Sequence, residues 1–276
     1  MRKSLPGGSC YGINWEWKGA GPAPELLGIG SPSWPTVRVE QLVCHQAGPD
    51  PFDSDHEVIM RLVSGGYVRL RRKELEATYF VPALLDTEEL VHPYLAPAGY
   101  AFSTWFGREA YHAGAFVLEG RAWAVVGERE GGKSSTLAWL SQQGYEVLCD
   151  DLLVIDNRHV LPGPRCIDLR GSAAALLGTG DHLHSARTGG RWRLGLRPAD
   201  PAPLAGWVFL RWGQSVSVRP LSPRERLSHI LGLGRPADSS APLTLVAAPA
   251  WELERPKVWE SLPSALDGFF DAVLSR

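Results

Sequence analysis

Residues 127 to 134 read Gly-Glu-Arg-Glu-Gly-Gly-Lys-Ser, a complete match to the phosphate-binding pattern G-x-x-x-x-G-K-[ST], and Asp150-Asp151 follows a short way downstream. In such a loop backbone N–H groups cradle phosphate oxygens, the lysine reaches the β- and γ-phosphates, and the hydroxyl ligates Mg²⁺. Two carboxylates beside it can hold the metal and take a proton from an acceptor. Together these are the minimum equipment for moving a phosphoryl group. Gly127, Gly131, Gly132, Lys133, Ser134 and Ser135 are therefore the expected nucleotide-binding set, with ATP and Mg²⁺ as their ligands.

The flanking segments fit that chemistry. Arg121–Val126 is apolar and β-prone, so it reads as a strand running into Gly127. Residues 133–143 carry Leu137, Trp139 and Leu140 on one side and are followed by Gly144, which reads as a helix with a glycine cap. Strand, loop and helix in that order aim N–H groups and the positive end of the helix dipole at one point. Tyr145–Cys149 is a second short apolar run ending on Asp150. Carboxylates at the end of a strand lie at the crevice where α/β sheets bind ligands. Adjacent side chains point in different directions, so the two can divide metal and proton work. The bland alternative is a turn, where Asp is common.

Residues 127–134 together with Gly144–Asp151 resemble the catalytic core of the HPr kinase/phosphorylase family, whose members phosphorylate a serine hydroxyl on a protein or peptide. Tyr111-His112-Ala113 lies where that family carries a histidine, and Cys166–Gly171 resembles its acidic-x-Arg-Gly segment, with Asp168 in place of the usual glutamate. The resemblance spans roughly residues 100 to 230. It implies an α/β fold with a P-loop kinase core of the HPr-kinase/PEP-carboxykinase type. It also implies that Asp150 is the general base, that Asp151 supports it and the metal, that Ser134 and Asp168 hold Mg²⁺, and that His112 tunes the carboxylates. Two features depart from the family. Arg129 and Glu130 stand where it has a small residue and a glycine, and residues 172–178 lose its longer signature. The first raises the question of where the Glu130 carboxylate points; an outward direction, toward Arg129 or the arginines of 187–197, is expected. The second implies a kinase without efficient phosphorylase activity.

Composition sets outer bounds. At 276 residues and 44% hydrophobic, the chain can build one large or two small domains with a true core. Net charge is −2 and no basic run dominates, which argues against a nucleic-acid partner. Cys10, Cys44, Cys149 and Cys166 form no CxxC pair and read as reduced thiols of a cytoplasmic protein. No apolar run approaches a membrane span and no signal peptide is evident.

The division expected is an N-terminal α+β region over 1–100 and a kinase domain over 101–276. Residues 1–36, rich in Gly, Pro and Ser, read as an irregular arm. Strands are expected at Val37–Val43, Glu57–Val63 and Tyr67–Arg72, the last two as a hairpin, and Asp86–Glu89 has the spacing of a capping box for a helix through Tyr94. No catalytic residue is evident there, and the region reads equally as a docking or oligomer-contact domain or as an extension of the kinase sheet. Downstream, Asp181-His182-Leu-His184 is a weak metal motif. Arg187–Arg197 reads as an arginine-rich loop able to close over phosphates, or simply as a solvated hairpin. Trp207–Trp212 and Ser215–Pro220 read as a hairpin, Ser222–Glu225 as a capping box, Trp251–Arg255 as a strand, and Leu262–Leu274 as a closing helix. The function expected is an ATP- and Mg²⁺-dependent kinase acting on a peptide or protein hydroxyl, such as that of a biosynthetic precursor peptide. A small-molecule kinase and a nucleotide-binding switch remain as alternatives.

Overall fold

A computed structural model describes residues 7–18, 23–28, 30–46, 48–63, 65–183, 190–231 and 246–275. The architecture is mixed α/β, with three sheets among the described residues. The first holds β1 (Gly7–Cys10), β2 (Ile13–Trp17), β3 (Thr36–Val43), β4 (Phe52–Asp53), β5 (Glu57–Arg61), β6 (Tyr67–Arg71) and β7 (Glu76–Val81). Their order is β1-β2-β3-β7-β6-β5-β4. β3 runs parallel to both β2 and β7, and the β5–β6 hairpin is antiparallel as expected.

The arm expected over 1–36 is irregular only in part: two strands, β1 and β2, occupy it up to Trp17, while 30–35 form no regular element. β2 alternates between buried and half-buried positions, and its Trp15 and Trp17 are fully buried. Period-2 burial of large aromatics makes a strand out of a segment whose glycines and prolines point to a loop.

The Asp86 cap forms as expected, its carboxylate accepting from Glu89 N–H at 2.7 Å. The helix it starts breaks at His92, whose φ of −146° and ψ of 116° are extended. The residue before a proline is pushed out of the helical region, and Pro93 follows. Helix α1 (Leu95–Trp105) resumes beyond it.

The second sheet carries β8 (Glu109–Tyr111), β9 (Gly114–Leu118), β10 (Arg121–Val126), β11 (Val147–Cys149), β12 (Leu153–Asp156) and β13 (His159–Leu161). Helix α2 (Lys133–Gln142) lies between β10 and β11. β14 (Cys166–Leu169), β15 (Asp181–Leu183) and β16 (Arg191–Gly195) form the third sheet in the order β14-β16-β15, and helix α3 (Gly171–Leu177) follows β14. β17 (Ala202–Trp212), β18 (Ser217–Pro220) and β19 (Ala250–Arg255) return to the second sheet, with helices α4 (Pro223–Leu231) and α5 (Ser261–Leu274).

Two expectations are corrected here. β17 and β18 do not form a hairpin, because β19 lies between them, parallel to β17 and antiparallel to β18. A strand remote in sequence takes the place that local turn chemistry offered. The arginine loop is a strand from Arg191 onward, paired on both edges. Arg187 and His184 lie outside the described residues, and His182 packs on Trp192 at 4.7 Å between ring centroids. The Ser222 cap of α4 forms as expected, with Glu225 accepting from Ser222 N–H at 2.8 Å.

Hydrophobic packing joins these layers. One buried cluster runs from Ile13, Trp15 and Val39 in the first sheet through Phe102 of α1 to Leu152, Val154 and Leu161 beneath the second. A second lies between the second sheet, α2 and α5, around Leu137, Leu253 and Phe269. All four cysteines are free, and no helix among the described residues is long and apolar enough to cross a membrane.

Trp15 packs edge-on against Phe102 at 6.3 Å, tying the N-terminal strands to α1. Trp15→Ala should destabilise the protein by about 3–5 kcal/mol in urea unfolding followed by circular dichroism. A loss below about 1 kcal/mol would mean that residues 13–17 do not belong to this core.

Candidate functional site

β10 is buried along all but its first residue and delivers the chain into the loop at Gly127. The loop closes tightly: Gly131 N–H donates to the Glu128 carbonyl at 2.8 Å, and a Cβ on Gly131 would fall 2.8 Å from that same oxygen. Gly132 caps α2 with a φ of 88°, a left-handed conformation that glycine adopts without steric cost. Glu130 adopts the same region, with φ of 65°. Its carbonyl accepts from Trp212 Nε1 at 3.2 Å, which braces the loop. The Glu130 carboxylate reaches Arg170 at 2.9 Å rather than the Arg129 or 187–197 partners expected, and both groups are about half exposed.

Lys133 is buried at the start of α2, where its ammonium donates to the Gly127 carbonyl at 3.0 Å and to His112 Nε2 at 3.2 Å. His112 Nδ1 lies 2.9 Å from the Asp151 carbonyl. A carbonyl can only accept, so Nδ1 carries the proton and Nε2 is left as the acceptor for Lys133. His112 is thus a spacer between the lysine and the Asp150–Asp151 turn, not a group touching the carboxylates. Burial lowers the Lys133 pKa, and the charges of Asp150 and Asp151 act against that shift.

The two aspartates differ sharply. Asp150 is 5% exposed and its Oδ1 is buried without a hydrogen-bond partner. Burial, and then the neighbouring Asp151 charge, push its pKa up, while the Ser134 hydroxyl favours its ionised form. Asp151 occupies the left-handed region at φ of 64°, one that aspartate tolerates better than most residues. Its side chain is 38% exposed and bonds His92 Nε2 at 2.7 Å. Burial would raise its pKa, but the His92 bond and charge overcome this and hold it low.

His92 belongs to a chain of alternating charges. Its Nδ1 donates to Asp168 Oδ2 at 2.9 Å. Arg193 grips Asp168 with Nε at 2.8 Å and Nη2 at 3.0 Å, and reaches Glu25 through Nη1 at 2.9 Å. Burial alone would lower the His92 pKa; bonds to Asp151 and Asp168 reverse this and raise it to about 9. Burial likewise works against ionisation of Asp168, and His92 and Arg193 hold it far below the ordinary range.

A cavity of about 760 Å³ collects Gly131, Gly132, Lys133, Ser134 and Ser135 with His112, Asp151 and Asp168. Gly127 lies at the base of the loop, lining a neighbouring hollow. Asp150 stands behind the cavity wall. The placement of the two aspartates differs from the expectation, because of the pair only Asp151 lines the cavity. Asp168 is also revised. Its side chain is 2% exposed and both of its oxygens are taken by Arg193 and His92, so it orients His92 instead of presenting a lone pair to Mg²⁺. Of the arginine segment, Arg191 lines the cavity whereas Arg193 is an interior anchor. His92, Glu25 and Arg193 have no motif of their own, and their contacts join positions 25 to 168 residues apart.

The pKa shifts set a pH window. His92 is raised from 6.5, so its contribution is complete below about pH 6.5 and lost as pH climbs through about 9. Asp151 and Asp168 are depressed from 3.8, so theirs holds above about pH 4 and fails on further acidification. Between pH 6.5 and 9 the metal-free protein should lose on the order of 2 kcal/mol, and His92→Gln should flatten that decline. Urea midpoints at pH 6, 7.5 and 9 measure it; parallel curves for the two proteins would remove His92 as the cause.

No protein-family model matches this chain, and no curated protein matches it in sequence. Among solved structures it is similar to the Hpr(Ser) kinase/phosphatase from Coxiella burnetii, at 12% identity and a TM-score of 0.32, over 60% of this chain and 97% of that one.

Proposed function

We propose that this protein is an ATP- and Mg²⁺-dependent phosphotransferase that passes the γ-phosphoryl group to a serine-type hydroxyl of a peptide or protein. One observation carries the reading: a glycine loop at the start of α2 holds Lys133 one imidazole away from Asp151, within a single cavity. The loop's backbone N–H groups and the Lys133 ammonium suit the polyphosphate. Asp151 faces the cavity and takes the acceptor's proton as its oxygen attacks the γ-phosphorus and the bond to the β–γ bridging oxygen breaks. A depressed pKa makes Asp151 a weak base, yet it keeps the group ionised; reach comes before pKa in choosing between the two aspartates.

The donor set also fits a magnesium ion. Among the described residues no cluster of three or more His, Cys, Asp or Glu could hold a metal by itself. Mg²⁺ keeps most of its waters and binds through one or two protein groups plus substrate phosphates, so an all-protein cage is not needed. The Ser134 hydroxyl, which lines the cavity and donates to the buried Asp150 carboxylate behind it, would hold the ion together with the substrate phosphates, with Asp151 near. When bound, it neutralises charge on the β- and γ-oxygens.

Lys133→Ala should abolish transfer of label from γ-labelled ATP to candidate peptides, read by mass spectrometry, without loss of fold. Asp151→Asn should retain ATP binding and lose about 10²–10⁴-fold in rate, while Asp150→Asn should chiefly raise the Mg²⁺ requirement. Near-normal turnover in Asp151→Asn would return the proton-accepting role to Asp150.

Glu130→Gly removes a left-handed non-glycine residue and frees Arg170, so it should change ATP affinity by less than about tenfold in titration calorimetry. A larger gain would mean that the carboxylate faces the phosphates.

A further inference from the structure

Arg255 ends β19 beside the glycine loop, and it is 4% exposed. Among the described residues it has no carboxylate partner. Nη1 is pinned by the Pro256 and Val258 carbonyls at 3.3 and 3.1 Å and by Ser261 Oγ at 3.2 Å. The guanidinium lies over the Trp212 ring, 4.4 Å from its centroid. Nη2 faces the loop: a Cβ on Gly132 would sit 3.3 Å from it. Burial pulls its pKa down to about 10, with no acidic neighbour to offset the cost.

A buried cation ordinarily has a counter-charge, since desolvating an unpaired ion is expensive. Arg255 has neutral acceptors on one nitrogen and a ring on one face. The other edge borders the cavity where the first N–H groups of α2 are also without helical partners. Two independent donor sets, one from the helix end and one from a buried arginine, converge on the same space. An anion with several oxygens completes both.

We propose that Arg255 is a phosphate-binding residue of this site, its Nη2 and Nε edge receiving non-bridging oxygens of the polyphosphate held by the glycine loop. Trp212 is then its positioning residue, stacking on the guanidinium while its indole N–H secures the loop through Glu130. The inference rests on the phosphotransferase reading only in taking a polyphosphate as the occupant of the cavity.

The test is a calorimetric titration of wild type, Arg255→Gln, Arg255→Lys and Lys133→Ala with inorganic tripolyphosphate and with ATP, well below each protein's melting midpoint. Charge-assisted hydrogen bonds lead us to expect roughly 10- to 100-fold weaker binding of both ligands to Arg255→Gln. Arg255→Lys, which keeps the charge, should lose less. A merely structural role would lower the melting midpoint and leave the affinity of the folded protein unchanged, and that outcome overturns the proposal. If Lys133→Ala is weakened while Arg255→Gln binds like wild type, this inference fails and the phosphate-loop reading stands. If wild type binds neither ligand, both fail. Should the Arg255 variants not fold, Trp212→Leu decides: a loss of about threefold or more supports the proposal, and unchanged binding overturns it.

Discussion

The structure depends on a run of alternating charges with a buried middle, Glu25–Arg193–Asp168–His92–Asp151. Each member satisfies its neighbour, and removing one leaves a charge without compensation in a desolvated setting. Breaking such a pair is far more costly than never having built it. The run crosses the molecule from a 3₁₀ turn at Pro24–Leu26, through β16 and β14, to the break before α1 and the turn after β11. Its far end is Asp151, which lines the cavity beside the glycine loop. The orientation of Asp151 is thus decided by His92 and, behind it, by Asp168, Arg193 and Glu25.

Two cavity-lining residues also carry an uncommon backbone conformation. Glu130 and Asp151 both occupy the left-handed region without being glycine. Residues held there persist when the surroundings over-determine them. For Glu130 those surroundings are the Trp212 bond to its carbonyl and the Arg170 pair; for Asp151, the His112 and His92 bonds. The loop and the aspartate turn are clamped from outside, not shaped by their own sequences alone.

Much of this was legible from the chain. The glycine loop, its strand and helix, the Gly144 cap, the Asp86 and Ser222 caps and the β5–β6 hairpin all follow from local rules, because each is decided by residues within a few positions. What was hidden depends on distance. β1 and β2 were masked by glycines and prolines, since only tertiary burial of Trp15 and Trp17 makes them strands. β19 separates two strands that a short turn would join, which no local signal announces. Position 92 reads as part of a helix, and only its partners in β14 and the aspartate turn give it a role. The roles of Asp150 and Asp151 could not be divided from sequence, because adjacency says nothing of which side chain is covered.

The hydrophobic cluster beneath the first sheet has a consequence for how this chain can vary. Leu152, Val154 and Leu161 pack into the same interior as Ile13, Trp15 and Phe102, and α1 runs straight through position 100. The opening third of the chain is therefore no interchangeable cassette. Swapping it with that of a relative would strand apolar surface on both pieces, and it would carry away the imidazole that holds Asp151. A change of side-chain volume in one half of that interior must therefore be matched in the other.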